Sequence, residues 1–94
     1  MHNLGVKFTW HEPKRKANLS KHGLDFADVG QVFAGPTITL EDERDYSGEQ
    51  RFNSTGFLGV NIVTICHTEA DDEIHIISMR KAEPDEIAIL SRYL

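Results

Sequence analysis

The sequence predicts a two-layer α+β domain in which helices near both ends of the chain cover an antiparallel β-sheet. Two observations carry this prediction. Several short segments alternate apolar and polar residues with the period of two that strands show, and proline and glycine delimit three helical segments. With 94 residues, of which 39% are hydrophobic and 27% charged, the chain has the size and balance of one globular domain over residues 1–94.

The N-terminal quarter of the chain predicts a strand followed by a helix. Leu4 to Trp10 alternates large apolar side chains with small or polar ones, which is typical of a half-buried strand. A helix over residues 13–22 follows, because Pro13 fits the first turn of a helix, where its missing N–H would have no partner. Gly23 ends this helix, since a residue without Cβ suits a left-handed cap.

The rest of the chain predicts a second helix, four strands and a final helix. The second helix covers residues 25–34 and begins at Asp25, with apolar residues at helical spacing. The strands are predicted over residues 37–40, 51–57, 60–68 and 73–80. The final helix covers residues 84–93, with Pro84 in its first turn. The order is therefore β-α-α-β-β-β-β-α, and short turns between consecutive strands favour antiparallel pairing.

The net charge of −5 is distributed unevenly along the chain. Residues 1–22 contain five basic residues and one acidic residue, whereas residues 23–50 contain seven acidic residues and one basic residue. Two interpretations are open. The domain either has one basic face for phosphate and one acidic face for a basic partner, or it has charge that only makes it soluble.

The composition also bounds the compartment and the class of protein. A single cysteine, Cys66, excludes an internal disulfide framework and a cysteine-based zinc site, and it indicates a reducing compartment. No apolar run approaches the roughly 18 residues needed to span a membrane, and the first residues lack the apolar core of a secretory signal. We therefore expect a soluble, cytoplasmic protein that does not bind membranes.

The histidines do not have metal-binding spacing, so we expect no metal and no cofactor. The closest pair, His67 and His75, is separated by a turn. The two rings face each other if paired residue numbers in this hairpin sum to 142, whereas a sum of 141 places His67 opposite Ile74. Cys66 in the middle of a strand is typical of a small buried hydrophobic residue rather than a nucleophile.

The remaining polar residues suit a phosphodiester. The cations are Lys14, Lys21, Arg51 and Arg80, and the candidate proton carriers are His22, His67, His75 and Glu49. Cleavage of RNA without a metal needs a base for the 2′-OH, a cation for the charge developing on the phosphate and an acid for the leaving 5′ oxygen. Histidine suits the proton roles near neutral pH, and arginine suits the phosphate.

Each of these residues also has a structural interpretation. His22, next to the predicted cap, can simply interact with the last carbonyls of its helix. Arg80 can form an ion pair with the acidic loop at residues 41–49. Glu49 and Arg51 lie two apart in an extended segment and can be a surface pair of small energetic consequence.

Segments in order along nearly the whole chain match a known family. They are Phe8-Thr9-Trp10, Lys14, Asn18-Leu19-Ser20-Lys21-His22-Gly23, Phe26, Val32-Phe33, Gly48-Glu49-Gln50-Arg51-Phe52, Gly56, His67-Thr68, Ile74-His75-Ile76-Ile77-Ser78-Met79-Arg80-Lys81-Ala82 and Glu86. In these residues the chain resembles the BrnT family, the toxin halves of bacterial type II toxin–antitoxin pairs with a RelE-like ribonuclease fold. The motifs K-H-G, E-x-R and I-I-S-x-R make the resemblance specific.

The resemblance implies an endoribonuclease toxin of RelE-like type, which cleaves RNA by metal-independent attack of the 2′-OH and stops translation. It also implies a BrnA-like antitoxin with a ribbon-helix-helix part. The pair would bind operator DNA only through this antitoxin. Carried over to the matching positions, the expected catalytic residues are Arg80, Arg51, His22, His67 and Glu49. The expected RNA-binding residues are Lys14, Lys21 and His75.

Three residues depart from the family pattern. His11 stands where the family usually has aspartate, so the first predicted helix loses an acidic N-cap. His75 stands where the family usually has arginine. Glu83, where the family often has threonine, adds a negative charge near Arg80. These departures leave an alternative function of a different class. The chain would then be a non-enzymatic module that binds the antitoxin and co-represses the operon without cleaving RNA.

Overall fold

The computed structural model describes residues 6–44 and 47–94, and it confirms the predicted α+β class and the order of elements. The elements are β1 (Lys7–Trp10), α1 (Glu12–His22), a 3-10 turn (Phe26–Asp28) that leads into α2 (Val29–Ala34), β2 (Thr37–Asp42), β3 (Arg51–Leu58), β4 (Asn61–Ala70), β5 (Glu73–Lys81) and α3 (Pro84–Arg92). Leu4 and Gly5 of the predicted first strand lie outside the described residues. None of the described helices has the length and apolar character to cross a membrane.

The described strands form one mixed sheet in the order β1-β5-β4-β3-β2. Pairs β2–β3, β3–β4 and β4–β5 are antiparallel, as predicted from their short turns, but β1 is parallel to β5. The prediction of a wholly antiparallel sheet therefore differs from the structure at this edge. The physical reason is that β1 leads into helices rather than a tight turn, and a helical connection does not impose the antiparallel direction on a strand.

The pairing of β4 with β5 contains a bulge, in which one strand carries an extra residue. Cys66 is opposite Ser78 and His67 is opposite Ile76, so Ile77 of β5 has no partner of its own. Both registers considered for the two histidines are wrong, because the turn at Asp71 and Asp72 places Ala70 opposite Glu73 and therefore His75 opposite Thr68. The bulge changes only the pairs beyond His67.

The bulge decides which β5 side chains share a face. His75 is opposite Thr68 and Arg80 is opposite Thr64, and these two threonines lie four residues apart on β4. Side chains alternate between faces along a strand, so residues five apart on a regular β5 would point to opposite sides. The extra residue cancels this difference and places His75 and Arg80 on the same face.

The two faces of the sheet have different environments. The face under the helices α1 and α2 is the core, which contains Leu24, Phe26, Val29, Val32, Val63, Ile65, Ile76 and Met79. On the opposite face, α3 covers one end, where Leu90 is 1% exposed. The remainder, which we call the open face, carries Arg51, Asn53, Cys66, Thr68, His75 and Ser78, all partly exposed.

Helix α1 ends as the sequence predicts, whereas the helix predicted over residues 25–34 is a 3-10 turn that leads into the short α2. Gly23 adopts a left-handed φ of 71°, and its N–H donates to the Leu19 carbonyl. Asp25 accepts a hydrogen bond from the Ala27 N–H and so caps the 3-10 turn. At the other end of α1, His11 provides no side-chain cap, as expected from the loss of the aspartate.

Asn18 attaches α1 to the sheet edge that β1 leaves unpaired. Strand β1 pairs with β5 only as far as Ile76, so the backbone of Met79 has no strand on that side. The Asn18 amide takes the place of a strand: Nδ2 donates to the Met79 carbonyl at 2.9 Å, and Oδ1 accepts from the Met79 N–H at 3.1 Å. Nδ2 also donates to the Leu24 carbonyl at 3.1 Å, and the residue is 8% exposed.

We expect Asn18→Ala to destabilise the protein strongly. The substitution leaves the Met79 N–H and two buried carbonyls without partners, which corresponds to a loss of about 2–4 kcal/mol in the free energy of unfolding. Urea denaturation followed by circular dichroism measures this loss. Ser20→Ala, an exposed position on the same helix, is the control. Equal stability of the two variants would contradict the anchoring role of Asn18.

Candidate functional site

A row of side chains crosses the open face from β3 to β1. Arg51 at the start of β3 is level with Thr68 of β4, Thr68 is opposite His75 of β5, and His75 is opposite Thr9 of β1. Neighbouring strands lie about 4.8 Å apart, so the backbones of Arg51 and His75 are about 10 Å apart. Arg51 and His75 therefore project from the same face, with Thr68 between them.

Arg51 is the cation at one end of this row. Its Nε donates to Glu49 Oε1 at 2.8 Å, which confirms the predicted pairing of these two residues. Asp42 of β2 is opposite Arg51 in the sheet. Burial raises the pKa of the Cys66 thiol on the next row, and the Arg51 guanidinium opposes that effect. Arg51 is thus oriented by its neighbours, with its side chain 25% exposed on the open face.

His75 stands at the other end of the row and is joined to two residues by hydrogen bonds. Its Nδ1 lies 2.9 Å from the Thr9 hydroxyl, and that hydroxyl donates to Glu73 Oε2 at 2.7 Å. The sequence indicated His75 as an RNA-binding residue, but it gave no signal for Thr9 or Glu73. Their proximity depends on the parallel pairing of β1 with β5, which has no local sequence signature.

Arg80 lies where the open face meets α3, and its partner is Glu86. Two nitrogens of Arg80 donate to the two Glu86 oxygens at 2.8 and 2.9 Å. Glu86 also accepts from the Thr64 hydroxyl and from the Glu83 N–H. The arginine lowers the pKa of Glu86, and the carboxylate raises that of Arg80. The interpretation of Arg80 as the partner of the loop at residues 41–49 is therefore wrong.

The Arg80–Glu86 pair joins α3 to the sheet, so we expect it to contribute to stability. Arg80→Ala and Glu86→Ala should each lower the free energy of unfolding by about 1–2 kcal/mol, since charge-assisted hydrogen bonds are lost at a half-exposed site. The double variant should lose less than the sum, with a coupling energy of about 1 kcal/mol. Urea denaturation of the four proteins provides the cycle, and strictly additive losses would contradict the pairing.

His67 does not lie on the open face. Its side chain is fully buried on the core face, stacked on Phe52 and edge-on to Phe33. Its Nε2 lies 2.7 Å from the Ser54 hydroxyl, and a carboxylate oxygen of Glu69 lies 3.4 Å from Nδ1. Burial lowers the pKa of His67 to about 4, because the charged ring would lose its water. His67 is therefore a neutral residue of the core, on the face of the sheet opposite His75.

The lowered pKa of His67 predicts a loss of stability in mild acid. A histidine with a pKa of about 4 in the folded protein takes up a proton more readily when the chain unfolds, where its pKa is about 6.5. The contribution is complete above about pH 6.5 and is lost as the pH falls towards 4, by about 2 kcal/mol between pH 7 and pH 5. His67→Gln keeps a partner for Ser54 but cannot titrate, so its stability should change less over this interval. Urea denaturation at both pH values compares the two proteins, and identical pH dependence would contradict the assignment.

The basic residues of α1 fall on two sides of Asn18. Successive helical residues turn by about 100°, so Lys14 and Lys21 lie on one side of Asn18, and Arg15 and His22 lie on the other. Arg15 pairs with the aspartate that caps the 3-10 turn, so its side belongs to the core layer. Lys14 and Lys21 are exposed on one side of the helix, and His22, which is partly exposed, lies on the side of Arg15.

An acidic groove lies at the far side of the sheet, between β2 and α3. It has a volume of about 230 Å³ and is lined by Ile38, Leu40, Glu41, Asp42, Glu43, Asn53, Thr55, Asp85, Glu86 and Ile89. The basic residues of α1 border β5, near the opposite edge. The uneven charge along the sequence thus becomes a separation of charge across the sheet. In the described part of the chain, no three residues of the metal-binding types come together as a metal site.

The fold and the family comparison together define a class of protein. A family model for ribonuclease toxins of type II toxin–antitoxin systems matches residues 10–86, which include the motif residues of both α1 and β5. The chain belongs to this family, BrnT. A search of curated proteins finds no significant match. The family implies an RNA target and an antitoxin partner, as the resemblance in the sequence indicated.

Proposed function

We propose that the protein is an endoribonuclease toxin that binds RNA on the open face and cleaves it by attack of a 2′-OH, without a metal. The observation that supports this most is the row from Arg51 to His75. It places a fixed cation and an imidazole on one accessible face, about 10 Å apart at the backbone. The same reaction needs a cation for the phosphate and a proton carrier beside it.

The cations have different roles in this proposal. Arg51 binds the phosphate that is cleaved, because it shares the row of His75. Arg80 lies further along the face and is held by Glu86, so it presents a positioned charge to the same strand of RNA. Lys14 and Lys21 hold flanking phosphates from the border of the face. Glu49 orients Arg51 through their ion pair rather than moving a proton.

We further propose that a BrnA-like antitoxin with a ribbon-helix-helix part neutralises the toxin and brings the pair to operator DNA. The family membership supports an antitoxin partner. We propose that the reaction is of the RelE-like type. The non-enzymatic alternative has the same fold and the same partner, so only the cleavage of RNA separates the two functions.

Expression of the isolated chain in cells tests the proposed function. We expect growth arrest and new transcript ends that carry the 2′,3′-cyclic phosphate and 5′-hydroxyl of 2′-OH attack, with both effects suppressed by the antitoxin. Purified protein should cleave RNA in the presence of EDTA. Folded protein that produces neither arrest nor new ends would support the non-enzymatic module instead.

We expect Arg51→Ala to lower the rate of RNA cleavage by about 10²–10³-fold, because the guanidinium acts on charge that develops as the phosphate reacts. Arg92→Ala near the end of α3 is the matched control, and its rate should equal that of the unmodified protein. Single-turnover cleavage of a labelled RNA measures both rates, with melting curves to show that both variants fold. Loss of binding without loss of the single-turnover rate would reduce Arg51 to a binding residue.

A further inference from the structure

We propose that His75 is the general base of this reaction, and that Thr9 and Glu73 hold its ring in the tautomer that can accept a proton. This assignment rests on the proposed function, and it concerns the position at which the chain departs from its family pattern. The sequence analysis named His75 among the candidate proton carriers, the resemblance assigned it to RNA binding, and neither gave Thr9 or Glu73 a role.

The direction of two hydrogen bonds fixes the tautomer. The Thr9 hydroxyl has one proton, and at 2.7 Å it donates this proton to Glu73 Oε2, since a carboxylate accepts and does not donate. The same hydroxyl oxygen is 2.9 Å from Nδ1 of His75 and can only accept there. Nδ1 must therefore carry the ring proton, and Nε2 carries the lone pair of a base.

Nε2 of His75 is available to a substrate. The only side-chain hydrogen bond of His75 in the described part of the chain is made by Nδ1, and Nε2 is not among the buried polar atoms that lack a partner. The ring belongs to the open face, because Thr9 and Thr68, its neighbours on either side, point to that face. His67 is buried in the core and His22 lies on α1, whereas His75 is part of the open face itself.

The charges around His75 come from three strands. Glu73 and Arg80 are on its own strand, Lys7 is on β1, and Arg51 lies two strands away beyond the uncharged Thr68. The carboxylate of Glu73 acts on the ring through the Thr9 hydroxyl and stabilises the imidazolium that forms when Nε2 takes a proton. Thr9 and Glu73 are positioning residues, since neither touches the substrate.

The step balances without a metal or a redox partner. Nε2 removes the proton of the 2′-OH, the 2′ oxygen forms a bond to the adjacent phosphorus, and the bond from phosphorus to the 5′ oxygen breaks. The 5′ oxygen leaves with the electron pair and takes a proton from water. The products are a 2′,3′-cyclic phosphate and a 5′-hydroxyl, and the imidazolium then returns its proton to water.

Four variants separate the base from its positioning residues. His75→Ala should lower kcat by about 10²–10⁴-fold, and imidazole added to the buffer should restore part of the rate. Thr9→Val should lower kcat by about 10-fold at unchanged KM, because the ring loses its fixed tautomer. Thr9→Ser keeps the hydroxyl and should cleave like the unmodified protein. Thr37→Val makes the same chemical change on β2, three strands away from His75, where Thr37 is opposite Gly56, and it should also cleave normally.

The pH profile and the ring tautomer provide readouts that a loss of packing would not change. The acidic limb of the kcat profile should move in Thr9→Val and stay in place in Thr37→Val, with melting temperatures measured for both. Nitrogen-15 NMR of the free protein should show Nδ1 of His75 protonated, with a shift towards the Nε2-protonated form in Thr9→Val.

The outcomes distinguish this inference from the proposed function. Cleavage by His75→Ala at the full rate would overturn the role of His75 as the base, and equal rates for Thr9→Val and Thr37→Val would overturn the positioning role of Thr9. A ring protonated on Nε2 in the unmodified protein would overturn the hydrogen-bonded chain, whether or not RNA is cleaved. Folded protein that does not cleave RNA at all would contradict both the proposed function and the role of His75 as its base. The NMR measurement would still decide the tautomer.

Discussion

Strand β5 has one residue more than the part of β4 that it pairs with, and both faces of the sheet depend on this extra residue. Ile76 and Met79 lie three apart and both enter the core, whereas His75 and Arg80 lie five apart and both leave it. A regular strand cannot do either, because its side chains alternate. The bulge at Ile77 therefore lets β5 contribute Ile76 and Met79 to the core and His75 and Arg80 to the opposite face.

Strand β5 is also where the helices at both ends of the chain are attached. Asn18 of α1 pairs with the backbone of Met79, and Glu86 of α3 pairs with the side chain of Arg80, the next residue. Consecutive residues of one strand thus position both helices. A change at either residue would move the border of the open face as well as reduce stability, so structural and functional effects of such changes have to be measured separately.

The sequence was informative where the physical cause is local. Proline at helix starts, Gly23 at a helix end and short turns between strands depend on a few adjacent residues, and each of these predictions is confirmed. The parallel pairing of β1 and the extra residue at Ile77 depend on segments far apart in the chain, which no local pattern encodes. The same holds for the site. Arg51 and Glu49, two residues apart, pair as expected, whereas the pairing of Arg80 with Glu86 and of His75 with Thr9 could be found only from the structure.

The parallel pairing of β1 with β5 has a consequence for the order in which the chain folds. The hydroxyl of Thr9 and the ring of His75 meet across 66 positions of sequence, and Asn18 meets Met79 across 61. Contacts of such long range form late, because most of the chain must be ordered before they are made. During synthesis on a ribosome, β1 and α1 therefore emerge more than 60 residues before the strand with which they pair. A nascent toxin of this architecture has no assembled open face until β5 has emerged.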